Sequence, residues 1–192
     1  MGPPKAAVRR ALGKDSLGGV HIAIQGAGSV ASGLARRAAA EGARITLTDI
    51  ERGRAEALAA EVGGEAVEPD SIMTLEADVL SPNALGAVLT AQSIAALKVP
   101  IVAGGANNQL ATPADGQLIH QRGILYAPDY VINAGGIINV STEYLKDGDQ
   151  ETVRGRIEQI PVRLEQIWSE SASTGRNPAE VADAMAMRLI GR

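Results

Sequence analysis

A G-x-G-x-x-A pattern begins at Gly26 and supplies the residue types that a phosphate-binding turn requires. Gly26 permits a sharp turn, and Gly28 lets a ligand approach the backbone because it carries no Cβ. Ala31 is small enough for the following helix to pack closely on a sheet. Phosphates would meet free N–H groups at the positive end of that helix. The pattern therefore predicts a site for a dinucleotide pyrophosphate.

An acidic residue stands where such a site needs one. Asp49 follows Gly26 by 23 residues and ends the second β-like run, where a carboxylate can accept hydrogen bonds from ribose hydroxyls. It would repel a 2′-phosphate, which favours NAD as the cofactor. Arg52 and Arg54 lie close enough in sequence to neutralise that phosphate, so NADP stays as the alternative. The competing interpretation is that the glycines only allow close packing and that Asp49 is an ordinary turn residue. The combination of strand, glycine turn, helix, second strand and acidic residue favours a cofactor site.

Three later loops are rich in Asn, Gly and other small residues, and each follows a β-like run. They comprise residues 81–86, 104–109 and 127–136. Amide side chains both donate and accept hydrogen bonds, which suits a nicotinamide carboxamide. Asn and Gly also fill ordinary turns, which is the competing explanation. Because ligands bind beyond the carboxyl ends of the strands in open α/β sheets, three such loops favour a function.

These residues require a particular set of elements to position them. Strands are predicted at residues 20–25, 44–48, 65–67, 77–80, 100–103 and 124–126. Helices are predicted at residues 4–12, 26–43, 52–62, 72–75, 93–97, 112–122, 130–144, 151–173 and 178–190. Apolar strands that alternate with helices are typical of a parallel sheet covered on both faces. The predicted fold class is α/β, a doubly wound and mostly parallel sheet followed by a C-terminal helical tail.

Composition narrows the function classes. The chain has 192 residues, 45% of them hydrophobic, with no Cys, no Phe and a formal net charge of −4. The absence of cysteine excludes disulfides, thiolate metal ligands and a cysteine nucleophile, and we expect no metal site. A net negative charge disfavours a nucleic-acid partner, and no apolar run approaches the roughly 18–20 residues that span a bilayer. We expect a cytoplasmic protein without a membrane partner.

Residues 20–140 resemble the cofactor domain of the Glu/Leu/Phe/Val amino-acid dehydrogenases, most closely the leucine dehydrogenase branch. The blocks that carry the resemblance are IQGAGSVA, TDI, SPNALG, AGGANNQL and YAPDYVINAGGIINV, which start at residues 24, 48, 81, 103 and 126. The helical tail has a similar layout. Three positions depart from the family pattern, namely Asn83, Gly105 and the Gly86-Ala87 pair, and they put only local loop geometry in doubt.

The resemblance implies a Rossmann-like domain that binds NAD in an enzyme converting a branched-chain L-amino acid, such as leucine, to its 2-oxo acid. The residues it assigns to the cofactor are Gly26, Gly28, Ser29, Val30, Asp49, Ile50, Ser81, Pro82, Ala84, Asn107 and Asn133. On the substrate side it assigns Asn107, Ile137 and Val140. Aliphatic residues at the last two positions suit a branched-chain side chain.

The family's catalytic lysines belong to a separate N-terminal domain, and this chain shows no counterpart. Its lysines, which are Lys5, Lys14, Lys98 and Lys146, sit in no comparable glycine-rich motif. His21 and His120 are expected to be structural. We therefore predict no catalytic residue in this chain and no turnover by the chain alone, and its first residues look like a cut start.

The predicted organisation has three parts. Residues 1–19 form an interdomain-type helix and connector, residues 20–148 the NAD-binding domain, and residues 149–192 a helical tail packed on it. Two alternatives stay open. One is a natural stand-alone module that binds or senses NAD, and the other is a complete small NAD(P)-dependent oxidoreductase. A monomer and a homo-oligomer are both compatible with the sequence.

Overall fold

The computed structural model describes residues 2–145 and 148–191, so Met1, Lys146, Asp147 and Arg192 lie outside the described residues. Its centre is a six-stranded sheet in the order β3-β2-β1-β4-β5-β6, with every neighbouring pair parallel. The strands are β1 (His21–Gln25), β2 (Arg44–Thr48), β3 (Glu65–Ala66), β4 (Val79–Pro82), β5 (Ile101–Val102) and β6 (Leu125–Tyr126). The predicted α/β class and parallel sheet are confirmed.

Helices cover both faces of the sheet and form the C-terminal part of the chain. The described helices are α1 (Pro3–Leu12), α2 (Ser29–Ala40), α3 (Arg52–Val62), α4 (Ala91–Ala96), α5 (Pro113–Gln121), α6 (Asp129–Ile132), α7 (Ala134–Leu145), α8 (Gln150–Thr174) and α9 (Pro178–Leu189). A 3₁₀ helix spans Pro69–Thr74. Among the described residues, no helix is long and apolar enough to cross a membrane.

Several predicted elements differ in their bounds from the structure, and the helical turn predicted at residues 72–75 is the 3₁₀ helix at Pro69–Thr74. Two further differences concern the helix after β6 and strand β4. The helix predicted at residues 130–144 is two helices, because α6 ends at Ile132 and α7 starts at Ala134, with Asn133 between them. The strand predicted at residues 77–80 is β4, which starts and ends two residues later. Pro82 has no N–H to donate to a neighbouring strand, but its carbonyl accepts a hydrogen bond from the Ala106 N–H at 2.9 Å. Pro82 can therefore be the last residue of this strand.

The sheet register brings the loops that follow β1, β2 and β4 to one edge. Gln25, the last residue of β1, is opposite Thr48 in β2 and Pro82 in β4. The Gly26 N–H donates to the Thr48 carbonyl at 2.7 Å, which continues the β1–β2 ladder into the turn. The strand order reverses between β1 and β4, and open α/β sheets bind ligands in the crevice at that point.

The core consists of two aliphatic layers, one on each face of the sheet. Ile22 and Ile24 of β1 face α2 and α8, whereas Ala23 faces the opposite layer, as the two-residue period of a strand requires. Full burial of one such isoleucine side chain contributes about 1.5–3 kcal/mol. In the first layer, α2 presents the small buried residues Ala31 and Ala35 to the sheet. This close contact places the N-terminus of α2 directly beyond β1.

The C-terminal helices share this core with the sheet. Ile160, Leu164 and Trp168 of α8 are buried in the same cluster as the strand residues of the first layer. The Trp168 indole Nε1–H donates to the carbonyl of Tyr126 at 2.9 Å, at the end of β6. Helix α8 is therefore attached both by apolar packing and by a buried hydrogen bond to the last strand.

Candidate functional site

The glycine turn after β1 has the geometry that its sequence predicts. Gly26 has φ +102°, and a Cβ on it would lie 3.1 Å from the backbone carbonyl of Asn83 and 3.1 Å from the Ala84 Cβ. Gly28 is the N-cap of α2 and has an ordinary extended φ of −73°. A Cβ on Gly28 would meet no described heavy atom within 4 Å. Gly26 is therefore required by the turn, while Gly28 leaves an open approach to the helix N-terminus.

Asp49 lies beside this turn and also stabilises it through hydrogen bonds. Its Oδ2 accepts a hydrogen bond from the Ala27 N–H at 2.7 Å, and its Oδ1 accepts one from the Glu51 N–H at 2.9 Å. The carboxylate thus connects the end of β2 to the glycine turn and to the start of α3. Each oxygen has further acceptor capacity, and the side chain is half-buried, so it can still receive ribose hydroxyls.

A small cavity of about 160 Å³ continues from Asp49 along the carboxyl ends of β2 and β3. It lies between the start of α3 and the segment that follows β3. Ile50 is at its entrance and is 87% exposed. The cavity therefore lies next to the glycine turn and has an exposed apolar side chain in its lining.

The loop after β4 is tied to the loop after β5 by Asn83. Its Nδ2 donates to the Ser81 carbonyl at 2.8 Å and to the Ser81 Oγ at 2.9 Å. Its Oδ1 accepts from the Gly105 N–H at 3.0 Å. A Cβ on Gly105 would come within 2.9 Å of the Val30 Cγ1 and 3.0 Å of the Asn83 Oδ1. Two of the three departures from the family pattern, Asn83 and Gly105, therefore fit each other.

A larger cavity of about 480 Å³ lies between α1, α2 and the loops after β4 and β5. Ser29, Val30 and Ser81 contribute to its wall, together with Asn83 and Gly105. Pro82 is buried behind this wall, whereas Ala84 is exposed beside the glycine turn. Lys5 of α1 also lines the cavity, but its ammonium group is paired with Glu41 at 2.7 Å.

The Asn-rich loops after β5 and β6 meet through side chains. The Asn133 Nδ2 donates to the Asn107 Oδ1 at 2.8 Å. Below them, the Gln109 amide donates to the carbonyls of Gly104 and Ala106, and the Gln109 N–H donates to the Asp129 Oδ2 at 2.6 Å. The predicted nicotinamide-side residues are therefore held together at one edge of the site.

The predicted substrate-side residues of α7 are exposed. Ile137 is 67% exposed and Val140 is 59% exposed, and the two lie three residues apart on the same helix. The structure thus brings together the residues assigned to the cofactor in the loops after β1, β2, β4 and β5 and at Asn133. It presents the two aliphatic residues of α7 on an open surface.

His21 lies away from this edge of the sheet. His21 begins β1, at the opposite end of the strand, where its Nε2 contacts the Thr46 Oγ1 at 2.8 Å and its Nδ1 lies 2.7 Å from a guanidinium nitrogen of Arg44. Burial, and secondarily the Arg44 charge, lowers the pKa of His21 below its ordinary value. Within residues 2–145 and 148–191, no group of three or more His, Asp or Glu side chains could hold a metal ion.

Sequence reasoning did not assign roles to three residues that the structure places in this framework. Asn83 joins two site loops, Gln109 fills the inside of the loop after β5, and Asp129 anchors that loop to α6. Their positions inside Asn-rich and acidic turn segments indicated loops. They gave no signal for the contacts that join these loops, because those contacts link residues 22 and 20 positions apart in sequence.

The strand order, the glycine turn and the helices on both faces define a Rossmann-like domain of the kind found in dehydrogenases. The sequence profile of the Glutamate/Leucine/Phenylalanine/Valine dehydrogenase family matches residues 46–190, and the chain belongs to that family. The resemblance predicted from the sequence motifs is confirmed.

Three relatives illustrate the likeness. A leucine dehydrogenase from Geobacillus stearothermophilus is 42% identical over 186 residues, which are 97% of this chain and 50% of that protein. The crystal structure of L-tryptophan dehydrogenase from Nostoc punctiforme matches with a TM-score of 0.93 and 34% identity, covering 98% of this chain and 57% of the other. The hetero-hexameric glutamate dehydrogenase from Thermus thermophilus matches with a TM-score of 0.72 at 23% identity, covering 95% and 48%, which concerns the fold alone. The chain spans about half the length of the curated relatives it matches.

Proposed function

We propose that the chain is the NAD-binding half of an amino-acid dehydrogenase that converts a branched-chain L-amino acid, such as leucine, to its 2-oxo acid. The observation that carries the proposal is the glycine turn braced by Asp49. Gly28 leaves the N-terminus of α2 open, and Asp49 holds the turn through the Ala27 N–H at 2.7 Å. An open helix N-terminus with an acidic residue beside it is the arrangement that a dinucleotide with free ribose hydroxyls requires.

Each end of the site has residues suited to one part of NAD. The N–H groups of Ser29 and Val30 would receive the pyrophosphate, and Asp49 with Ile50 would hold the adenosine. Ser81, Pro82 and Ala84 would lie along the cofactor, and Asn107 with Asn133 would meet the nicotinamide carboxamide. Bound there, NAD would supply a hydride acceptor, while the described residues would bind it and orient it.

The substrate preference rests on α7 and on the relatives. Ile137 and Val140 are aliphatic and exposed beside the Asn133 end of the site. An aliphatic surface suits a branched-chain side chain, and a pocket of this kind separates neighbouring aliphatic substrates by only about 1–3 kcal/mol per methylene. The 42% identity to a leucine dehydrogenase supports the same class of substrate.

We assign no catalytic acid or base to this chain. Deamination needs a group of suitable pKa beside the reacting carbon. Of the described lysines, Lys5 is paired with Glu41, Lys14 lies in the connector between α1 and β1, and Lys98 lies against Glu76 at the amino ends of the strands. The proposal therefore places catalysis on residues outside this chain.

We also propose that the C-terminal helices belong to the NAD-binding unit as a packed tail, with residues 20–148 as the cofactor domain and 149–192 as the tail. Burial of Trp168 against the end of β6 supports the packing of the tail on this domain.

Calorimetric titration with NAD and NADP, together with a leucine oxidation assay, tests the proposal. We expect binding of one NAD per chain, weaker binding of NADP, and no leucine-dependent formation of NADH. Failure to bind either nucleotide would refute the cofactor assignment. Robust oxidation of leucine by the chain alone would refute the placement of catalysis elsewhere.

A further inference from the structure

The cavity beyond Asp49 has a charged rim that the proposed function does not explain. Its charged lining residues are Asp49, Arg52, Glu56 and Glu68, and the rest of its wall is small or apolar. With three carboxylates and one guanidinium, the rim has a formal charge of −2. If the proposed function is right, the adenosine ribose lies beside this rim, where the 2′-phosphate of NADP would also be.

Arg52 is held by carboxylates from two different elements. Its Nε donates to the Glu56 Oε1 at 2.7 Å, one turn further along α3, and its Nη1 donates to the Glu68 Oε1 at 2.8 Å, in the segment after β3. The hydrogen bond to Glu56 and the charge of Glu68 raise the pKa of Arg52 above its ordinary value. The second nearby cation is also paired, since the Arg54 Nε lies 3.0 Å from the Glu51 Oε2.

These ion pairs contribute little to the stability of the fold. All three side chains are more than half exposed, and water and salt screen exposed ion pairs strongly. The electric field of these charged groups still acts on a ligand in the cavity, because the ligand would lie within about one Debye length of them. The arrangement therefore has a larger consequence for a charged ligand than for folding.

We propose that Glu56 and Glu68 determine cofactor specificity by holding Arg52, the cation that lines this cavity in the part of the chain that the structure describes. A 2′-phosphate requires an unpaired guanidinium or ammonium group, and here the guanidinium is already bound by two carboxylates. NADP is thus excluded by two independent features. One is the carboxylate of Asp49, which repels the phosphate. The other is the pair of glutamates, which bind the Arg52 guanidinium so that it cannot bind the phosphate.

The proposal makes a prediction that repulsion between Asp49 and a 2′-phosphate does not make by itself. Replacing both glutamates by glutamine keeps the shape of each side chain but removes two negative charges and releases the Arg52 guanidinium. We expect the ratio of NADP affinity to NAD affinity to rise by about tenfold in E56Q/E68Q, from the Coulomb energy of two charges screened at physiological salt. The gain should shrink as salt is raised, because screening weakens it.

Two further variants separate this mechanism from a general change in charge. Glu61→Gln removes a carboxylate from the same helix, but Glu61 pairs with Arg36 at 2.5 Å and does not line the cavity. We expect no change in the cofactor ratio in this control. Adding Arg52→Gln to the double variant should abolish the gain, because the proposal requires Arg52 to be the group that receives the phosphate.

Calorimetric titration of the full chain with NAD and with NADP gives the ratio for each variant. A double variant whose ratio matches that of Glu61→Gln, or a triple variant that keeps the gain, would overturn the role of the two glutamates. Both results would leave the proposed function standing as long as the unmodified chain binds NAD. If the unmodified chain binds neither nucleotide, the proposed function and this inference are refuted together.

Discussion

The Asn133 Nδ2 donates a hydrogen bond to the Asn107 Oδ1 at 2.8 Å, and this bond joins the loop after β5 to the junction between α6 and α7. The bond uses one donor and one acceptor of the pair. Among the described residues, no hydrogen bond engages the Asn107 Nδ2 or the Asn133 Oδ1, so the pair still has a donor and an acceptor for a ligand. A carboxamide offers the complementary pair of groups, which is why we assign this edge to the nicotinamide.

Asn107→Asp tests the free donor of this pair, because it removes the Asn107 Nδ2 amide group. The aspartate still accepts from Asn133, but it cannot donate a hydrogen bond to a carboxamide oxygen. We expect NAD affinity to fall by about tenfold, which corresponds to the loss of one hydrogen bond. Affinity for ADP-ribose, which has no nicotinamide ring, should stay unchanged. Equal losses for both ligands would contradict the assignment of this edge.

The two glycines of the turn should respond differently to alanine. Gly28→Ala places a methyl group in the open approach to α2, so we expect nucleotide binding to be lost while the free energy of unfolding falls by less than about 1 kcal/mol. Gly26→Ala forces a side chain into a left-handed backbone conformation against Asn83, which should cost about 1–3 kcal/mol.

Gly155→Ala is the matched control for these two changes, because Gly155 is inside α8 and has no described atom within 4 Å of its Cβ position. It should leave binding unchanged and raise stability by about 0.5–1 kcal/mol. Urea unfolding and calorimetric titration check all three variants. Retained NAD binding by Gly28→Ala would be inconsistent with a pyrophosphate at this helix N-terminus.

Asp49→Ala should affect both the turn and the ligand. It removes the acceptors for the Ala27 and Glu51 N–H groups, so we expect the free energy of unfolding to fall by about 1–2 kcal/mol. Affinity for NAD and for ADP-ribose should fall together by at least about tenfold, because both ligands contain the adenosine ribose. A loss restricted to NAD would show that Asp49 is not at the adenosine end.

His21 gives the fold a specific response to acid. Its folded-state pKa is lowered from 6.5 by burial and by Arg44, so the unfolded chain binds the proton more tightly. The stability that results is fully present above about pH 6.5 and is lost as the pH falls toward the folded pKa. We expect His21→Gln, measured by urea unfolding between about pH 7 and pH 5.5, to show a smaller loss of stability than the unmodified chain. Identical pH profiles would contradict this role.

The main elements of the site were predictable because each depends on local sequence. The glycine turn needs only Gly26, Gly28 and Ala31 between a strand and a helix, and the structure has them there. The parallel sheet follows from short apolar strands alternating with helices. The position of Asp49 at the end of β2 follows from the same pattern.

The contacts within the site were not predictable, because they join residues that only the fold brings together. Local sequence predicts one helix over residues 130–144, yet two helices part at Asn133, whose side chain binds Asn107. Glu68 reaches Arg52 from 16 residues away, which depends on how β3 follows α3. Tertiary contacts decide such details, and propensity alone does not.

Mapping of amide chemical shifts by NMR during titration with NAD tests the central claim most directly, because a 19.8 kDa chain gives resolved backbone spectra. We predict saturable shifts at the amides of Ala27, Gly28 and Ser29, with further shifts at Ile50 and Asn107. The claim would be contradicted if these amides did not respond, or if the shifts were confined to the groove between α8 and α9 around Ile167 and Met185.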